Sequence, residues 1–280
     1  MLLANQTQPY TKLIGKCYGT FKPLGLKLLP LYLVLLVTLG GFYRFIIAPL
    51  FTHLASTWIT ADANGNLQIS FLQMKQGMAW TLALASFGGI TIYLYFANAL
   101  FYRTDGILLE DHHKIQGAWK AGLQRWLPAI GYTLVIFVIF SGLSILNFLV
   151  EGRIHSHWLL MALYSVVFLV SLILFIRLSY GYALLVSRHQ NIFSAISQSL
   201  YLTKGYFWRL LGMYILTVSL PTLAFCFLGM LLNFLLPIGI LGSITLLILS
   251  IVGHYVVTVL MIGSLYVFLN DSALHHRETT

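Results

Sequence analysis

Apolar residues in this chain do not alternate with polar ones. They collect into six long runs, near 24–50, 78–101, 127–150, 158–186, 208–234 and 238–269, and the stretches between them hold most of the charge. The hydrocarbon core of a bilayer is about 30 Å thick and is crossed by a helix of roughly 20 apolar residues. Each run is long enough. With no water in that core, backbone groups must be bonded within the segment or around a closed barrel. A barrel strand would alternate in character, whereas Leu127 to Val150 and Ile238 to Leu269 are predominantly apolar throughout. The pattern predicts six transmembrane helices.

A second periodicity precedes the first, third and fifth runs. Tyr10, Leu13, Ile14, Cys17, Tyr18 and Phe21 fall on one helical face, opposite Lys12, Lys16 and Lys22. Ile115, Trp119, Leu123 and Trp126 form the next stripe, with Gln116, Lys120, Gln124 and Arg125 around the remaining circumference. Ile192, Ile196 and Leu200 form the third, against Ser194, Ser197 and Gln198, and lead into Tyr206-Phe207-Trp208-Arg209. Apolar and polar faces separated in this way predict interfacial helices. The expected fold is therefore an all-α integral membrane protein with six transmembrane helices arranged as three hairpins, each preceded by a cytoplasmic amphipathic interfacial helix. The chain reads as one polytopic domain, 1–280, in units of approximately 9–101, 113–186 and 191–269.

Composition strengthens this picture. Hydrophobic residues make up 59%, charged residues 8%, and the mean hydropathy is +0.87, against about 25% charged in soluble domains. A soluble fold is excluded. Charge supplies the orientation, because lysine and arginine are retained on the cytoplasmic side. Lys12, Lys16, Lys22, Lys27, Arg103, Lys114, Lys120, Arg125, Arg188, Lys204, Arg209 and Arg277 all fall on one side of a six-span arrangement. Lys75 and Arg153 fall on the other, with Arg44 near the outer end of the first span and Arg177 inside the fourth. Both termini are thus expected in the cytoplasm. The net charge of +9 follows from the same bias and gives no reason to expect nucleic acid.

Smaller signals fill in the connections. The long outer stretch from His53 to Gln76 contains Ala61-Asp62-Ala63-Asn64-Gly65-Asn66, a turn cluster. Pro221 should kink the fifth span, Pro30 the first, and Pro237 with Gly239 should turn the fifth into the sixth. Asn98, Asn147 and Asn233 are placed to bond between helices. Cys17 and Cys226 lie towards opposite faces, so no structural disulfide is expected. The polar start, Asn5 to Lys22, leads into a long apolar run without a cleavage site, which suggests a retained helix.

Catalytic chemistry is sparse. The acidic residues are Asp62, Asp105, Glu110, Asp111, Glu151, Asp271 and Glu278, and none lies in the six runs. Proton-coupled transport, which usually needs an intramembrane carboxylate, is disfavoured. Glu110-Asp111-His112-His113 and His275-His276 lack the i, i+4 spacing of a zinc helix, and no metal or cofactor is expected. Ser179, Ser264 and His254 form no nucleophile elbow. No phosphate-binding glycine loop occurs. Arg177 stands out because it lies well inside the inner boundary set by Arg188. There it would snorkel, cap carbonyls or meet a lipid headgroup.

From Arg177-Leu178-Ser179-Tyr180-Gly181-Tyr182 the chain continues to a segment with Ala195, Ser199, Leu202, Thr203, Gly205 and Trp208 at the spacing Ala-x3-Ser-x2-Leu-Thr-x-Gly-x2-Trp. This segment resembles the YciC-like family of bacterial inner-membrane proteins and the related membrane domain of some glycerophosphodiester phosphodiesterases. The resemblance implies an inner-membrane location and a connection with phospholipids or envelope maintenance. It implies no activity, since those relatives carry catalysis in a separate soluble barrel for which six spans leave no room.

The resulting expectation is a non-enzymatic inner-membrane scaffold or accessory protein that engages membrane lipids or a protein complex. Its contact candidates are Arg177, Trp119, Trp126, Ile196, Leu200, Trp208 and Arg209. The alternative is a transporter or permease subunit with a pathway between the hairpins. A lipid-modifying enzyme would require His112, His113, Glu110 and Arg177 to converge.

Overall fold

A computed structural model of the protein describes residues 9–50, 52, 59–61, 67–69, 76–151, 156–235 and 240–278. Six helices in it are long and apolar enough to cross a membrane, and the protein is an all-α, multi-pass membrane protein. The helices are α1 (Tyr10–Gly19), α2 (Phe21–Phe42), α3 (Gln76–Leu109), α4 (His112–Gln116), α5 (Ala118–Gln124), α6 (Trp126–Glu151), α7 (His157–Ser187), α8 (Ile192–Leu202), α9 (Phe207–Tyr214), α10 (Leu220–Leu235) and α11 (Ile240–Glu278). The pairs α2–α3, α6–α7 and α10–α11 pack as hairpins. Within the connection between α2 and α3, β1 (Ile59–Ala61) and β2 (Leu67–Ile69) pair antiparallel, with Ile59 opposite Ile69. The predicted turn cluster around 62–66 lies outside the described residues, as do Pro237 and Gly239.

Two spans contain π-helical turns, at Tyr43–Ile47 and Ile215–Ser219. The second sits just ahead of Pro221. A proline inside a helix leaves the carbonyl four residues earlier without its N–H partner and crowds it, and the widened turn accommodates that lost bond. The fifth span is consequently α9, the π turn and α10 in series. The first short helix is not a separate element: Thr20 is helical, its N–H reaches Lys16 O at 2.9 Å, and Leu24 N–H reaches Thr20 O at 3.1 Å. Helix α1 therefore runs directly into α2.

The three units close into a ring. Helix α5 packs on α3, α8 on α7, and α1 on α11, so each short helix lies against the second span of the unit before it, the last unit preceding the first. Each docks through residues four apart: Leu13 and Cys17, Ala118 and Gly122, Ala195 and Ser199. Small side chains permit this close approach. A Cβ at Gly122 would sit 3.0 Å from Tyr95 O, and one at Gly263 on α11 would sit 3.1 Å from Leu24 Cδ1.

At the centre α3, α7 and α11 meet. Tyr182 OH donates to Asn98 Oδ1 at 2.7 Å, Tyr266 OH donates to Phe101 O at 2.9 Å, and Tyr266 also bonds Ser187. The Phe101 ring lies 5.2 Å from Tyr182 and 6.2 Å from Tyr266. Buried residues concentrate at this end of the bundle, in 94–108, 176–187 and 259–272. Towards the other end Phe137, Phe168, Phe227, Phe234 and Leu247 are exposed, an apolar surface that lipid tails satisfy as well as protein does.

Helix α3 extends past the predicted end of its span to Leu109, and α11 past its own to Glu278. Asp105 and Asp271, which lie outside the six apolar runs, fall in these extensions and are buried, 3% and 2% exposed. Both are paired. Asp105 bonds Lys114, and Asp271 lies 3.4 Å from Arg209.

Candidate functional site

Seven residues were expected to make lipid or partner contacts, and the structure distributes them over three docking points. Arg177 lies beneath the C-terminal turn of α8. Its guanidinium donates to Leu200 O at 2.6 Å and to Thr203 Oγ1 at 3.1 Å, while Ser199 Oγ donates back to Arg177 O. The last carbonyls of a helix lack N–H partners and carry partial negative charge. A guanidinium, with donors in a fixed fork, suits them.

Ala195, Ser199, Leu202 and Thr203 are buried, Ile196 and Leu200 are half-buried, and Phe193 and Tyr201 are exposed. The closest contact runs along the small residues Ala195 and Ser199, while Ile192 and Ile196 pack beside them against the core.

Trp119 and Trp126 both turn to α3. Trp119 is 44% exposed and packs on the rings of Tyr95 and Phe96, with centroids at 6.4 and 5.9 Å. Trp126 Nε1 donates to Thr91 O at 3.2 Å. Trp208 is 78% exposed beside Phe207, while its neighbour Arg209 turns inward to Asp271. Of the lipid-modifying constellation, Arg177 is held by α8, and Glu110 and His112 stand at the junction of α3 with α4, which packs on α3 and α5, while the side chain of His113 lies outside the described residues. Among the described residues, no group of three or more His, Cys, Asp or Glu could hold a metal ion.

Sequence reasoning missed a contact between the ends of α5 and α7. Arg125, at the end of α5, bonds Nδ1 of His189, which closes α7 with a left-handed φ of 56°. Tyr102 meets the imidazole edge-on at 6.2 Å. An arginine only donates, so Nδ1 is the acceptor in this contact. Burial first, then the charges of Arg125 and Lys114, hold the His189 pKa below its ordinary 6.5. The unfolded chain takes up this proton near 6.5 and the folded chain resists it, so the junction loses stability as pH falls below 6.5. An NMR titration should place His189 under 6.5, and Arg125→Gln should raise it. An unmodified protein titrating at or above 6.5 would contradict the arrangement.

Cavities mark two further places. A cleft of about 330 Å³ between α10 and α11 is mostly apolar, with Thr222, Ser250 and His254 on its wall, and Tyr32 OH bonds His254 Nδ1. A cavity of about 410 Å³ opens where α7, α8 and α11 converge, walled by Arg188, Gln190 and Gln198 over Leu184, Leu202 and Leu269. Comparison of the chain with protein-family models, with curated proteins and with solved structures gives no match.

Proposed function

We propose that the protein is a non-enzymatic scaffold or accessory protein of the bacterial inner membrane, acting in lipid or envelope maintenance or within a membrane complex through its short helices. The observation that carries this reading is the ring of docked helices. Each is fixed to a neighbouring unit by one face, while Tyr18, Leu123, Phe193 and Trp208 on the ring and its span junctions are exposed together with Lys12, Lys120 and Lys204. Aromatic and basic residues together suit the headgroup level of a membrane with anionic lipids.

The bias of lysine and arginine supports a cytoplasmic ring and cytoplasmic termini. Single cysteines introduced at Lys120 and Lys204 are expected to resist an impermeant maleimide in intact cells and to react in inverted vesicles. Labelling from outside would reverse the orientation.

Native isolation with identification of copurifying molecules tests the role. Stoichiometric lipid or a defined protein partner is expected, and its loss on combined Phe193→Ser and Trp208→Ser substitution would tie it to the ring. Isolation of a bare protein that moves a solute across vesicles would replace this reading with the permease.

A further inference from the structure

We propose that the cavity between the C-terminal ends of α7 and α11 and helix α8 binds a phosphate ester that also carries a hydroxyl or ammonium donor. It takes from the scaffold reading only the placement of this end of the bundle at the inner-leaflet surface. Three features define the ligand.

The first is an unmatched cation. Arg188 is exposed at the cavity wall, and its side chain has no hydrogen-bond or ion-pair partner among the described residues. Among the described residues no carboxylate lines the cavity, and the next residue, His189, is held against Arg125. The C-terminal dipoles of α7 and α11 oppose an anion here, but each amounts to about half a charge and fades within a turn. A guanidinium carries a full charge and matches phosphate oxygens two at a time.

The second is an acceptor without a donor. Gln190 donates through Nε2 to Gln198 Oε1, which leaves its own Oε1 buried with no partner among the described residues. A buried acceptor left unmade costs about 1–3 kcal/mol, and a ligand O–H or N–H would satisfy it. The third is the floor, where Leu184, Leu202 and Leu269 suit a short aliphatic backbone joining phosphate to donor. Inorganic phosphate would meet the first feature and leave the other two unfilled.

The test uses the full chain. Calorimetry in detergent with glycerol 3-phosphate examines a soluble ester. Native mass spectrometry from nanodiscs of phosphatidylcholine, with or without phosphatidylglycerol, examines a lipid headgroup. Saturable binding in either arm is expected, and the arm that responds identifies the source. Arg188→Gln should weaken it about tenfold or more, the loss of one charge-assisted bidentate contact, with an unchanged melting temperature because Arg188 is exposed. Gln190→Leu should erase the preference over inorganic phosphate. Absence of binding in both arms, equal affinity for inorganic phosphate, or an Arg188→Gln protein that binds as tightly as the unmodified one overturns the proposal. None of these results depends on copurifying partners, so failure here leaves the scaffold reading standing.

Discussion

Replacement of Arg177 by alanine is expected to release α8 from the bundle, with a loss of about 3 kcal/mol or more, since hydrogen bonds to a charged group contribute about 1.5–3 kcal/mol each and two are removed. The Leu200 carbonyl and the Thr203 hydroxyl would then face a half-apolar groove without their donor. Arg177→Lys keeps the charge but has no fork to span both acceptors, and should fall between alanine and the unmodified protein. Limited proteolysis in membranes reads this directly, as cleavage between 190 and 207. If the alanine variant is cut no faster than the original, Arg177 does not hold the helix.

Asp271 is the second residue whose loss should be severe. It is 2% exposed and faces Arg209 at 3.4 Å. Removing one member of a buried ion pair costs up to about 3–5 kcal/mol. Asp271→Ala and Arg209→Ala should each lower the melting temperature of the solubilised protein. The double substitution should cost less than the sum, by about 1–3 kcal/mol of coupling. Strict additivity would mean that the two side chains do not depend on one another.

The Asp271 pair also explains which parts of the structure were legible in the sequence. Six spans were readable because a bilayer demands a run of fixed length and character, and local composition carries that information. The true ends of α3 and α11 were not readable, because Asp105 and Asp271 look like boundary residues until Lys114 and Arg209 arrive from other elements to neutralise them. Arg177 was recognisable as unusual, since its depth follows from counting residues to Arg188. Its partners Leu200 and Thr203 were not, because their arrival depends on how α8 folds back. The same limit applies to Arg125 with His189 and to the tyrosines at the centre. A tyrosine in an apolar run reads as lipid-compatible bulk, and only the packed bundle shows Tyr182 reaching Asn98 and Tyr266 reaching Phe101.

The docking of α1 on α11 sets an order of events during biogenesis. The ribosome makes α1 first and α11 last, so the surface that receives Leu13 and Cys17 does not exist until nearly the whole chain has been synthesised. Helices α5 and α8, by contrast, find their receiving spans already inserted. Two of the three joints can therefore form as the chain emerges, while the third must wait. Joining such distant segments carries a loop-closure cost that grows only slowly with length, so the delay falls on rate far more than on final stability. During that interval the face of α1 that carries Leu13 and Cys17 lacks the surface that buries it, and the ring closes only once α11 has been made.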